Sequence, residues 1–493
     1  MALPATATHP DTVREGRSFL DHLKDSGAFG IGQILVKLTS LITLPVLIKT
    51  LGEHDYGRLA TVNAASGLLV WVVLWSLPSA TVRFLAGVQD RTHVARVHSC
   101  AVLVIVGSTA FWLGILSAGL SVWGADALGD PLLPYLAMLL STFTALVSLF
   151  MTSYRIRDEN RRYVSVDMAF TVLNAIVLVT AVLYWQELTA LLIALVGFKA
   201  VRSIWLTVQF TRHFGFAAPD WEGFKPFWTF SLPLLFPQAM AWMTNLSDRL
   251  IIGIYHSQEV VGIYAANYNL SILVNHLTAA VFFAFTPTFS RLWSAGDTNQ
   301  FGSLAVRSAN AMLAVGLPVV VAISCLSPLV MSLLATGAVA QASLWIVPFV
   351  AVGLLLNAFA GYGGEVMMLN RLTGRIVLQS AVGAGTNLIL NIILVPVYPL
   401  AGAAIATLLS FGVLFGTSIV LSRAAFRLRF DLGFALKVVI SAAFMTFCFE
   451  LVSANLWHRA LIAPIAGATY VGSLYVLSGM PTLADMRAKL ETT

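Results

Sequence analysis

Lys37 stands near the middle of an apolar stretch, Gly27 to Lys49, with Gln33 before it and Ser40 after it at steps of four and three. On a helix these side chains share one face with Gly30, and the remaining faces are apolar. An ammonium at mid-bilayer costs about 2.5 to 3.5 kcal/mol on insertion scales unless it meets water, a counter-ion or a polar cavity. The alternative is a lysine that snorkels to the interface, which its distance from both ends of the stretch makes awkward. A second polar stripe runs through Ser231, Gln238, Trp242, Asn245 and Arg249 at steps of seven, four, three and four. That face meets something polar, unless Arg249 simply pairs with Asp248 beside it at the outer membrane edge. A third stripe holds Tyr264, Tyr268, Ser271, Asn275 and Thr278. Aromatic rings cover the apolar faces of sugars and amides pair with their hydroxyls, so this mixture suits sugar recognition. Tyr264 taken alone also fits an interfacial aromatic belt. With Asn63, an amide inside another apolar stretch, the candidate binding residues are Lys37, Gln33, Asn63, Gln238, Trp242, Asn245, Arg249, Tyr268 and Asn275.

This is a pattern of binding, not of catalysis. The chain has no GxxxxGKS/T phosphate loop, no HExxH helix and no large charged loop between apolar stretches. Cys100, Cys325 and Cys448 fall inside apolar runs without paired spacing, so no disulfide framework, zinc site or redox motif is implied. Two intramembrane carboxylates, Glu365 and Glu450, have no second acid nearby in sequence, and Glu365 is expected to pair with Arg371 or Arg375. No enzymatic activity and no cofactor or metal is expected. Without an energy-coupling domain, transport would run on a gradient or on consumption of its product.

The elements that must carry these stripes are membrane helices. The chain is 58% hydrophobic and 11% charged, against about 45 to 50% and about 25% in soluble domains. An all-α polytopic membrane protein follows, and 493 residues accommodate about 14 spans. An even count puts both termini on one side of the membrane. Of the 29 Lys and Arg residues, 21 fall in segments on the side of the termini and four on the opposite side. This asymmetry predicts cytoplasmic termini in a multi-pass protein of the cell (inner) membrane. It also accounts for the net charge of +6 without a nucleic-acid partner.

Residues 1–26 are expected to form a cytoplasmic arm, 27–211 a first set of six spans, 212–225 a cytoplasmic linker and 226–423 a second set of six. Residues 424–480 supply two extra spans and 481–493 a cytoplasmic tail. The halves repeat. A shift of 205 residues lays Gly57 and Ala60 on Gly262 and Ala265, and a shift of 213 lays Arg162, Asn174 and Ala190 on Arg375, Asn387 and Ala403. Six being even, the two bundles have the same orientation. The seventh span is then the counterpart of the first, and each presents a cation and amides to the interface between the halves.

Three motifs carry a resemblance. LGEHDYGRLA follows the first span, ATVRFLAG with Arg83 and Phe84 closes the second, and NLILNIILVPVYPLAGAAIATLLS holds Asn387, Leu390, Asn391, Pro396, Gly402, Ala403, Ala404, Ala406 and Thr407. Together they resemble the polysaccharide-export and O-antigen flippase branch of the multidrug/oligosaccharidyl-lipid/polysaccharide exporter superfamily, over about Gly27 to Arg423. The last motif also occurs in multidrug exporters, and the first-half copy at Asn174 lacks the full run, with Leu188 and Thr189 where glycine is expected. The resemblance implies two six-helix lobes around a central cavity plus two C-terminal helices. It further implies a flippase for undecaprenyl-diphosphate-linked oligosaccharide, working in the bilayer beside glycosyltransferases and a polysaccharide polymerase. Cations at depth would serve the diphosphate, amides and rings the sugar, and lipid between the lobes the prenyl tail. The competing readings are a cation-coupled multidrug exporter, which calls for cavity carboxylates, and a membrane polysaccharide polymerase, which calls for a large charged loop.

Overall fold

The computed structural model describes the backbone of residues 19–123, 130–451 and 456–478, and side chains from Thr43 onward apart from 120–123, 283, 456 and 457. Gln33, Lys37 and Ser40 therefore lie on a described helix but outside the described side chains. Among the described residues every regular element is an α-helix.

The first, α1 (Phe19–Leu74), is two spans in one. Gly52 divides it with φ 79° and ψ 174°, a conformation that glycine adopts without steric cost. Trp75 and Ser76 then take left-handed φ values of 53° and 57°, which costs about 1 to 2 kcal/mol per L residue. Their placement is held by the Trp75 indole, which donates to the Ser108 hydroxyl at 2.8 Å and lies against Trp228 at 5.0 Å. After this break α2 (Leu77–Leu85) continues the second span, with proline in its first turn. The rest of the first lobe is α3 (Arg91–Trp123), α4 (Leu132–Ile156), α5 (Asn160–Trp185) and α6 (Leu188–Phe214).

The second lobe begins with α7 (Trp221–Tyr255), capped by Asp220, whose Oδ1 accepts from the Gly223 amide at 3.1 Å. It continues through α8 (Gln258–Ser294), α9 (Thr298–Leu334), α10 (Gly337–Leu369), α11 (Thr373–Leu394) and α12 (Pro399–Ser422). Finally α13 (Leu432–Glu450) and α14 (Leu456–Ser478) pack on each other and on α9. The non-helical linker between lobes covers only 215–220, shorter than the 212–225 read from the sequence. Helical hydrogen bonding continues through the polar ends of both helices, so Arg212 and Lys225 sit on final and opening turns.

Twelve helices among the described residues are long and apolar enough to cross a membrane. The two remaining spans of the sequence reading fall on the first arm of α1 and on α7, which is less apolar because it carries Pro226, Pro233 and Pro237 as well as the polar stripe. The repeat is visible in the backbone. Asp158 and Arg371, 213 residues apart, share φ values of 57° and 56°. Their following amides, Glu159 and Leu372, donate to Tyr154 and Met367 carbonyls, both at 2.8 Å.

The cores show how the lobes meet. On the side of the Gly52 turn one apolar cluster spans both, joining Ile48 and Leu59 of α1, Leu191 of α6, Ile252 of α7, Val261 of α8 and Ala403 of α12. On the opposite, arginine-rich side the cores are separate. Leu85, Leu149 and Phe210 form one with Phe224 and Phe227 from the start of α7, while Phe289, Phe301 and Met312 form another. The lobes are fused at one side and part toward the other, and α7 belongs to both.

Candidate functional site

The seam between the lobes is built from α1, α7 and α8. Trp242 Nε1 donates to the Ala64 carbonyl at 2.9 Å, so the α7 stripe faces α1. Gln238, one turn earlier, is half-buried and its Oε1 has no partner among the described residues. Asn245 is half-buried and donates to the Ala241 carbonyl of its own helix at 2.7 Å. Asn63 is exposed, and it lies one turn before Gly67, which abuts the Trp242 indole. Asn275 is half-buried, two turns beyond Tyr268 on the same face of α8.

Toward the Gly52 side the seam tightens until backbone meets backbone. A Cβ on Gly57 would fall on the Gln258 carbonyl and the Gly262 nitrogen, and one on Gly262 would fall on the Glu53 carbonyl. These glycines are the pair related by the 205-residue shift, so the repeat meets itself here. Thr61 Oγ1 donates to Gln258 Oε1 at 2.7 Å and Asn269 Nδ2 to the Tyr56 hydroxyl at 2.8 Å across the same contact. At the other end of the seam the Arg83–Phe84 motif acts as a clamp. The Arg83 guanidinium lies 4.5 Å from the Phe230 ring, and Phe84 packs on Phe227 at 5.0 Å.

Arg249 does pair with Asp248, at 3.1 Å, but the pair is interior and not at an exposed rim, with side chains 6% and 2% exposed. The guanidinium also donates to the Asn245 carbonyl at 3.0 Å and lies 4.5 Å from the Tyr268 ring. Tyr264 is likewise no interfacial residue: it is wholly buried, with its hydroxyl 3.3 Å from Thr407 Oγ1. From there polar contacts run on. Ser410 donates to the Thr407 carbonyl, Asn387 to Ser410 Oγ at 3.2 Å, and Asn391 to Asn387 Oδ1 at 3.1 Å. Ser247 closes the path from α7 to Asn387 Oδ1 at 3.4 Å. This network ties α7, α8, α11 and α12 together. Among the described residues Asn391 Oδ1 and the Tyr268 hydroxyl have no hydrogen-bond partner, and such oxygens can take a water or a small cation. Glu365 does not pair with Arg371 or Arg375. It is buried with Oε1 unpartnered among the described residues, while Arg375 donates to the Leu421 carbonyl at 2.8 Å.

A second polar region lies wholly inside the first lobe. A cavity of about 460 Å³ is lined by α2, α4, α5 and α6, including Thr144, Arg155, Asp167, Asn174, Lys199 and Arg202. Lys199 Nζ donates to Thr144 Oγ1 at 2.8 Å, and Arg202 meets Asp167 Oδ1 at 2.8 Å while stacking on Phe170. Sequence reasoning counted these cations only as charges within spans. The signal it passed over is Lys199, Arg202, Trp205, Gln209 and Arg212 on α6 at steps of three, three, four and three.

A model of a family described as polysaccharide biosynthesis protein matches residues 22–293, more than half of the chain. A probable low-salt glycan biosynthesis flippase, Agl15 of Haloferax volcanii, is 27% identical over 173 residues, 35% of this chain and 36% of that protein. The match thus spans about a third of the curated relative's length. Among solved structures, the lipid II flippase MurJ in an inward closed conformation is similar with a TM-score of 0.73 and 15% identity, covering 91% of this chain and 98% of that one. An inward-facing multidrug resistance MATE family transporter of the MOP superfamily gives 0.61 and 13%, over 80% and 97%. At these identities the likeness is one of fold.

Proposed function

Because the chain belongs to the polysaccharide biosynthesis protein family, we propose that it is a flippase for undecaprenyl-diphosphate-linked oligosaccharides. It moves these units from the cytoplasmic to the outer leaflet of the inner membrane by alternating access, with both termini in the cytoplasm. The reading rests above all on the seam: lobes joined at one side and parting at the arginine-rich side, with the amides of Asn63, Gln238 and Asn245 along the interface.

The cargo's diphosphate enters from the arginine-rich side and is met by Lys37 with Gln33, as a point charge at depth. Sugar hydroxyls pair with Asn63, Gln238, Asn245 and Asn275, and sugar faces lie on Trp242 and Tyr268. Arg249, held by Asp248 and Tyr268 in this conformation, is reached only when the Gly57–Gly262 side opens, and its planar fork then receives the diphosphate last. No covalent step is required. Glycosyltransferases supply the cargo and a polymerase or ligase consumes it.

The test uses the purified full chain in vesicles carrying undecaprenyl-diphosphate oligosaccharide in both leaflets. Membrane-impermeant periodate should consume half of the lipid-linked sugar in protein-free vesicles, nearly all of it with the wild type, and half with Lys37→Ala. Consumption stopping at half with the wild-type chain would remove the flippase reading, and efflux of a cationic dye from the same vesicles would favour a drug exporter instead.

A further inference from the structure

The cavity inside the first lobe stands apart from the seam and carries more positive than negative charge. Lys199, Arg202 and Arg155 line it against one carboxylate, Asp167. Lys199 lies near the middle of the 27-residue α6, about 16 Å along the helix from its Leu188 end at 1.5 Å per residue. Among the described residues it has no carboxylate in reach, and its single polar contact is the Thr144 hydroxyl. An ammonium has three donors, so two remain for a ligand. Arg202 offers a further donor, since its Nε is buried without a partner among the described residues. The Phe170 ring, 5.1 Å away, and Asp167 hold the guanidinium in place.

A structural role for these charges is hard to sustain, because the second lobe builds the same scaffold without them. At the 213-residue shift Lys199 and Arg202 correspond to Gly412 and Phe415. An approach also exists. The α6 stripe continues through Trp205, Gln209 and Arg212 into a second cavity of about 530 Å³ at the arginine-rich mouth, where Arg157 and Arg162 share the single carboxylate of Glu159 and leave the mouth net positive. Such a run raises the local concentration of anions and leads them inward.

We propose that this cavity is a binding site for a phosphate-type anion, a phosphate or diphosphate group held between the Lys199 ammonium and the free edge of the Arg202 guanidinium. Its volume suits a diphosphate or the phosphate headgroup of a lipid. The proposal is independent of the seam: loss of this site leaves flipping by the lobe interface open, and failure of flipping leaves this site testable by binding.

The experiment uses the full chain in detergent, with two probes. Equilibrium dialysis measures labelled inorganic diphosphate, and native mass spectrometry compares undecaprenyl phosphate with the neutral undecaprenol. Saturable diphosphate binding that survives Lys37→Ala and falls in Lys199→Gln would assign the anion alone as sufficient; retention of undecaprenyl phosphate over undecaprenol with the same dependence, and without diphosphate binding, would assign a lipid headgroup. Thr144→Asp sets a carboxylate against Lys199 and supplies its missing counter-ion. It should weaken the bound probe at least about tenfold, the loss of one charge-assisted bond, while unfolding at the wild-type temperature; Lys199→Arg should restore most binding lost in Lys199→Gln. Failure of both probes to bind the wild type, or wild-type affinity in Thr144→Asp, overturns the proposal.

Discussion

Asn387 sits in the buried network of the second lobe, 1% exposed and bonded to Ser410, Asn391 and Ser247. Its counterpart in the first lobe, Asn174, lines a cavity with Lys199 and Arg202. The two lobes share helix order, the left-handed turns at Asp158 and Arg371, and an asparagine in the same helix. They differ in what surrounds it. In the second lobe Ser410 of α12 and Ser247 of α7 hydrogen-bond to it, and Arg249 is engaged by an acid, a carbonyl and a ring. In the first, the space is left open and the cations exceed their acids. One copy of the repeat uses buried polarity to fasten four helices together, and the other keeps it available.

The contrast can be broken most forcefully at Asp248. Asp248→Asn leaves the Arg249 guanidinium buried without its counter-charge, which should cost about 3 to 5 kcal/mol and show as a large drop in the temperature at which the detergent-solubilised protein unfolds. Adding Arg249→Gln should recover most of the loss, and an Asp248→Asn protein as stable as the wild type would mean that the pair fastens nothing. At Lys199 the sign should reverse. Lys199→Met removes an ammonium with no acid partner from the membrane interior, so stability should hold or rise by up to about 2 kcal/mol; a marked fall would make the first-lobe cavity as structural as the second-lobe network. Glu450 provides the floor. It meets Arg459 at 3.8 Å with 61% of its side chain exposed, and Glu450→Gln should shift unfolding by no more than about 1 kcal/mol.

Much of this was legible from residue spacing. Period and apolar length sufficed for 14 helices, and Trp242 of the α7 stripe does reach the Ala64 carbonyl of α1, as a polar face on a helix in an apolar medium should. The Gly57–Gly262 and Asn174–Asn387 correspondences were visible as bare shifts. What they meant was not, since only the packed fold brings the first pair into contact and separates the second into a cavity and a network. Asp248 and Arg249 looked exposed because they stand near the end of a span, and the cover supplied by α8 and α1 is a tertiary fact. Glu365 was matched to the nearest arginines in sequence, although the turn at Arg371 directs Arg375 toward α12. Lys199 and Arg202 stood out only as charges within spans, outside the count of membrane sidedness, and three helices must pack before their stripe encloses anything.

The glycine contact between α1 and α8 also has a mechanical side. From Gly262 to Ser294 the eighth helix runs roughly 32 residues, or about 48 Å. If the lobes rock about that contact by about 10°, the far end of the helix sweeps about 8 Å, while atoms within one turn of the glycines travel about 1 Å. A lever with its fulcrum at one end lets the mouth gape by the width of a sugar ring while the seal barely moves, so leakage and loading are separated by nothing more than distance from the pivot.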